Sequence, residues 1–240
     1  TDRNQDGFGH DPNRLKAMIL THAHVDHSGR IPLFINEGFK GSVYCTHATR
    51  DLCQIMLQDS AHLMEEAAER ERRHARDMKR PPRPPLYTRG DAERAVRQFR
   101  SLDYSKRFNI GDISVRFSDA GHILGSTIVE MDIGKKRLVF SGDLGRPDTP
   151  ILRDPQRVDE ADWLVLESTY GDLDHERMPD RGKRLFDIVL ETVDQGGNVI
   201  IPAFAIGRTQ EILYELNPFA EAGKLSGVKC FVDSPMAISA

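Results

Sequence analysis

The chain is predicted to be an α/β protein. Short apolar runs alternate along it with stretches of helical periodicity, and histidines or acids recur just past the ends of those runs.

The first element follows a polar, Gly- and Pro-containing stretch over residues 1–16 that reads as a loop. Residues 17–20, Ala-Met-Ile-Leu, suit a short buried strand, and His22, His24, Asp26 and His27 follow within six positions. In extended backbone, residues two apart project to the same side, so His22 and His24 can face one point. The turn signalled by Ser28 and Gly29 lets Asp26 and His27 approach a second point nearby. Neutral imidazole nitrogen and carboxylate oxygen are the ligands that Zn²⁺ and similar ions accept. Four such side chains in so short a stretch are the pattern of a metal site.

Residues 31–36 suit a short helix, with Pro32 in its first turn and Gly38 past its end, and residues 42–45 a second strand. A longer helix carries apolar Leu52, Ile55, Met56, Leu63 and Met64, turns charged near Glu65, and must stop before the prolines at 81–85. From Arg70 to Arg107 thirteen Arg or Lys stand against five Asp or Glu, a bias that fits either a phosphate-tracking surface or a solvated face of Glu–Arg pairs. His62 and His74, without ligand-type neighbours there, are expected at the surface or in packing.

Strands are expected over residues 113–117, 126–132 and 137–140, the last two joined by Gly134 and Lys135. Residues 163–166, Trp-Leu-Val-Leu, form a continuous apolar run of the kind buried on both faces. An amphipathic helix over 184–193, a strand over 198–201, a helix over 209–216 and a strand over 229–233 complete the series. His122, Asp143 and Glu167 each sit just after a strand end, the first two beside glycines that let backbones approach closely.

The net charge of −4 does not announce a nucleic-acid partner, so any such surface must be local. The three cysteines are scattered, without C-x-x-C spacing, and read as reduced thiols of a cytoplasmic protein. No run approaches the ~20 apolar residues of a membrane span.

In order, the His22-x-His24-x-Asp26-His27 cluster, Gly121-His122 and Ser141-Gly142-Asp143-Leu144-Gly145 resemble the metallo-β-lactamase superfamily. Glu167-Ser168-Thr169-Tyr170-Gly171, the stretch Ile201-Pro202-Ala203-Phe204-Ala205-Ile206-Gly207-Arg208 and Asp233-Ser234-Pro235-Met236-Ala237 narrow the resemblance to its β-CASP branch of RNA-processing nucleases. The resemblance covers nearly everything from Leu15 onward. It implies an αββα sandwich over residues 1–172, lacking its opening strands before Thr1, followed by the start of a β-CASP α/β domain over 173–240. It also implies that His22, His24 and His122 hold one zinc, that Asp26 and His27 hold a second, and that Asp143 bridges them. Manganese is the alternative metal.

By the same resemblance Asp26, Asp143 and Glu167 are the catalytic carboxylates. Glu167 would pair with a histidine that the family carries after the position of Ala240. Arg208 and His175 are expected on the substrate side, and His47 is a spare loop histidine. The implied activity is hydrolysis of RNA phosphodiesters by a water activated between two zinc ions, as endonuclease, 5′ exonuclease or both. RNA is the expected partner, with single-stranded DNA as the alternative, a homodimer admitted, and no membrane. Rival readings are a thioester or lactam hydrolase of the same superfamily and a non-catalytic scaffold subunit of an RNA-processing complex.

Overall fold

The computed structural model of the chain describes residues 6–77, 81–174 and 180–240. His175 lies outside these residues. They divide into two compact units, one of Thr1–Arg146 with Asp154–Glu167 and one of Pro147–Arg153 with Ser168–Ala240.

The first unit holds two sheets. β1 (Ala17–Ile19), β2 (Ser42–Thr46) and β3 (Phe99–Leu102) form a parallel sheet in that order. Parallel neighbours require crossovers. These are supplied by α1 (Val25–Ser28) and α2 (Ile31–Asn36), then by α3 (His47–Asp77) and α4 (Arg89–Val96). Pro32 in the first turn of α2 has no N–H to lose there. Thr88 and Asp91 cap α4 reciprocally, each side chain accepting the other's backbone N–H. α3 buries Leu52, Cys53, Met56, Leu57 and Ala61 at helical spacing, whereas Leu63, expected on that stripe, is exposed.

The second sheet is an antiparallel meander of β4 (Arg107–Ile110), β5 (Ile113–Asp119), β6 (Thr127–Ile133) and β7 (Lys136–Phe140), with β8 (Trp163–Val165) parallel to β7. Val115, Phe117 and Val129 are buried on its inner face against Ile19 and Tyr44 of the first sheet, so the two sheets pack face to face. Each such fully buried side chain contributes about 1.5–3 kcal/mol. The opposite face buries Ile128 and Val139 with Ala120. On that same face Glu130 is 2% exposed, held by Arg116 at 2.7 and 3.0 Å and by the Ser118 hydroxyl at 2.7 Å.

In the second unit α5 (Arg181–Asp194) packs on α6 (Arg208–Glu221) through stacked Phe186 and Phe219, with ring centroids 4.2 Å apart. Arg181 adds ion pairs to Glu211 and Glu215. α7 (Pro235–Ser239) is capped by the Ser234 hydroxyl.

The α/β class is as expected, with four differences. Residues 163–166 are not buried: Trp163 is 61% and Leu164 56% exposed, because β8 is the end strand of its sheet and pairs only with β7. Residues 198–201 and 229–233 form no strands. Among the described residues neither has a ladder partner, and β-propensity without a partner does not make a strand. β3 and α4 lie inside the basic stretch and interrupt it, and β4 starts at its last residue. That stretch is laced with carboxylates, as Arg72 meets Glu69, Arg89 meets Glu65, Arg97 meets Glu93 and Lys106 meets Asp103. These pairs are those expected of a solvated ion-paired face. His62 pairs with Glu66 at the surface, and His74 is exposed, as expected.

No helix among the described residues is long and apolar enough to cross a membrane.

Candidate metal centre

Four strands of the first unit run out toward one place. After β1 the chain stays extended to His24, with the Thr21 carbonyl accepting the Thr127 N–H at 2.9 Å. His22 is fully buried, and its Nδ1 lies 3.1 Å from the Thr21 hydroxyl, which leaves Nε2 facing inward. α1 then turns the chain. Ser28, also fully buried, fixes this turn by reaching the carbonyls of Ala23 at 2.8 Å and His24 at 3.0 Å.

After β5, a tight loop carries His122. The Ser126 hydroxyl accepts the N–H groups of His122 and Ile123, and the Ser126 carbonyl accepts from Ala120 N–H and Tyr104 O–H. After β7, Gly142 takes φ +55, and a side-chain carbon there would stand 2.9 Å from Cβ of Thr21. Asp143 follows. The Gly145 N–H then meets the Ala120 carbonyl at 2.8 Å, and a Cβ on Gly145 would lie 1.7 Å from the Gly121 carbonyl oxygen. Only glycine permits that approach. After β8, Glu167 accepts the Leu144 N–H at 2.9 Å, and its own N–H bonds the Ser141 hydroxyl.

The result is a group in which His22, His24, His122 and Asp143 each offer a ligand atom within 4.8 Å of the others. Nε2 of His122 is 3.1 Å from Nδ1 of His24 and 3.6 Å from Oδ2 of Asp143. Oδ1 of Asp143 faces the other way, 3.4 Å from Nε2 of His27, which is in turn 3.5 Å from Asp26. Asp26 is the most open of the six, its side chain 74% exposed.

Burial, reinforced by the neighbouring imidazoles, lowers the pKa of His22 to about 3, and burial is also the main cause that lowers His24 and His122. The rings are therefore neutral near pH 7, with lone pairs available. Nε2 of His22 is buried without a hydrogen-bond partner. An orphaned ring nitrogen among two more imidazoles and a carboxylate is a donor set that suits a borderline divalent cation such as zinc.

Of the remaining candidates, Glu167 adjoins the Asp143 loop. Arg208 belongs to the second unit, where it opens α6 and pairs with Glu211 at 2.6 Å. His47 lies 3.5 Å from Asp103 and is exposed. The supporting roles of Thr21 and Ser126 carry no sequence signal, and Ser28 reads there only as part of a turn. Their hydroxyls bond groups within five positions, the His22 ring for Thr21 and main-chain groups for Ser28 and Ser126, and nothing in their spacing marks them.

Comparison with known proteins adds the following. Residues 6–179 match the metallo-beta-lactamase superfamily. The chain is 37% identical over 235 residues to "Ribonuclease TTHA0252" of Thermus thermophilus, covering 98% of this chain and 50% of that protein. It is 36% identical over 220 residues to "Transcription termination factor FttA" of Thermococcus kodakarensis, covering 89% of this chain and 32% of the relative. It is 30% identical over 230 residues to "Cleavage and polyadenylation specificity factor subunit 3-I" of Arabidopsis thaliana, covering 95% and 31%. The chain thus spans half or less of the length of these relatives. The strand-end cluster and the match over most of its length agree: the chain belongs to the metallo-β-lactamase superfamily, in the β-CASP branch that its relatives represent.

Proposed function

We propose that the protein is a metal-dependent phosphodiester hydrolase acting on RNA in the cytoplasm. The observation that carries this reading is the convergence of His22, His24, His122 and Asp143 from separate strand ends around the unpartnered Nε2 of His22. The ribonuclease named among the relatives supports RNA as the substrate class. Two buried thiols, Cys45 and Cys53, the latter raised to about 12 by burial, are consistent with a reducing compartment. The first unit would be the catalytic domain, and the second the opening part of a β-CASP domain.

His22, His24 and His122 would hold one zinc ion, and Asp26 and His27 a second. The two oxygens of Asp143 face the two groups, Oδ2 toward His22 and His122 and Oδ1 toward His27. Bound there, divalent ions supply Lewis acidity that brings a water's pKa toward neutrality and offsets charge on a phosphate. Asp26, exposed at the rim, takes a proton from the attacking water. Glu167 orients the acid that protonates the leaving oxygen, while its bond to the Leu144 N–H fixes its own place. Arg208 contacts a backbone phosphate of the substrate, and His175 keeps its assignment to the substrate side from sequence alone.

The test is cleavage of end-labelled RNA and single-stranded DNA alongside a thioester and a lactam, with and without a chelator. Chelator-sensitive RNA cleavage restored by zinc supports the reading, and a ladder or mononucleotides distinguishes endonuclease from 5′ exonuclease. Turnover of the small molecules alone overturns it.

A further inference from the structure

The carbonyl of Gly125 is gripped by two hydroxyls that lie far from it in sequence. Thr46, the last residue of β2, and Thr49, in the first turn of α3, are 3% and 0% exposed. Their Oγ1 atoms lie 2.6 and 2.9 Å from the Gly125 oxygen. Each hydroxyl has one hydrogen and a carbonyl has two lone pairs, so both can donate to it at once. Thr46 still accepts the Thr49 N–H at 3.2 Å, which caps α3. The fit is close: Gly125 takes φ +86, and a Cβ there would lie 2.4 Å from the Thr49 nitrogen.

Gly125 belongs to the loop that presents His122. That loop is closed on itself by Ser126, which binds the His122 N–H at 3.0 Å. The loop's internal bonds set its shape but not its place relative to the first sheet. Thr46 and Thr49 tie it to β2 and α3, and β2 is the strand that pairs with β1, which leads to His22 and His24. We infer that Thr46 and Thr49 are positioning residues for His122, holding the Gly125 carbonyl so that the imidazole meets those of His22 and His24. This rests on the reading of His122 as a metal ligand.

A purely structural role for the two threonines would lower stability and leave the metal affinity of the folded protein unchanged. The test therefore reads zinc affinity, with zinc alone as the probe, by competition with a chromophoric chelator in metal-stripped protein. Thr46→Val/Thr49→Val is expected to bind zinc about 10–100-fold more weakly, the usual effect of removing a group that orients a ligand. Its far-UV circular dichroism should be unchanged, and Thr46→Ser/Thr49→Ser, which keeps both hydroxyls, should restore wild-type affinity.

If the double valine variant does not fold, Thr46→Val and Thr49→Val are read singly, since each keeps one donor on Gly125. Each is expected to weaken binding several-fold. Wild-type affinity in the folded double variant, or in both single variants, overturns the inference. His122→Ala in the same assay separates the two ideas. If it weakens binding while the valine variants do not, the clamp alone fails. If it too binds zinc normally, the ligand assignment falls and the clamp with it.

Discussion

Nε2 of His22 lies 3.7 Å from Oδ2 of Asp143, fully buried and with no hydrogen-bond partner of its own. The two residues are 121 positions apart, so their meeting is a product of the fold. A buried polar nitrogen left without a partner costs about 1–3 kcal/mol. Its persistence beside a carboxylate is the signature of a site shaped for a cation.

Asp143→Asn should retain the fold, because the amide is nearly isosteric and the surrounding main-chain bonds do not use the carboxylate. It should lower metal affinity by more than the about 10–100-fold seen when an orienting group is removed, and hydrolysis should fall with it. Bound metal per chain and RNA cleavage check this together. Full activity in this variant would remove Asp143 from the centre.

Acid should destabilise the metal-free protein. The folded pKa of His22 is lowered to about 3, and those of His24 and His122 are lowered too, mainly by burial. Below about pH 6.5 the unfolded chain takes up protons that these rings refuse. The unfolded state then binds more protons, so stability falls as pH drops from about 6.5 toward 3, by about 1.4 kcal/mol per pH unit for each proton. Urea unfolding in a chelator at pH 7.5, 6 and 5 should give falling midpoints. A flat profile would mean the rings are not neutral in the folded state.

Arg116→Met should cost about 3 kcal/mol, the lower end for breaking a buried ion pair, because Arg116 itself is partly exposed. The variant leaves the Glu130 carboxylate buried with Ser118 as its remaining partner among the bonds described above. Adding Glu130→Leu should recover most of the loss, which denaturant titration of the single and double variants would show.

Gly145→Ala should cost about 3 kcal/mol, the upper range for a steric insertion. The new methyl would overlap the Gly121 carbonyl and force the Asp143 and His122 loops apart. A drop in thermal midpoint accompanied by weaker metal binding is expected. A variant that binds metal normally would show that the loops can separate without moving their ligands.

Legibility in the sequence followed distance along the chain. His22, His24, Asp26 and His27 are local, so their spacing alone raises the expectation of a metal site, and the structure brings two of them, His22 and His24, together with His122 and Asp143. His122 and Asp143 gained meaning only from their order and from glycine neighbours. The strand at 113–117 was readable from alternation, and that at 137–140 from its apolar residues after the Gly134-Lys135 turn. Residues 198–201 and 229–233 looked the same but lack a partner strand, which a local pattern does not reveal. Residues 163–166 carried a composition suited to burial, while their exposure depends on what lies next to β8. β3 and α4 were hidden because arginines dominate their stretch, although Thr88 and Asp91 spell out a helix start. Thr46 and Thr49 were invisible for a different reason: they act on a carbonyl 79 and 76 residues away.

The loops bearing His22, His122 and Asp143 are joined where Thr21 meets Thr127 and where Gly145 meets Ala120, in each case through main-chain atoms. Amides and carbonyls are common to every residue, so this scaffold survives mutation at most of its own positions. Evolution, or a protein engineer, is therefore free to recolour the surroundings and adjust substrate preference without disturbing the ligand geometry, provided that Gly145, Gly125, Thr46 and Thr49 stay as they are.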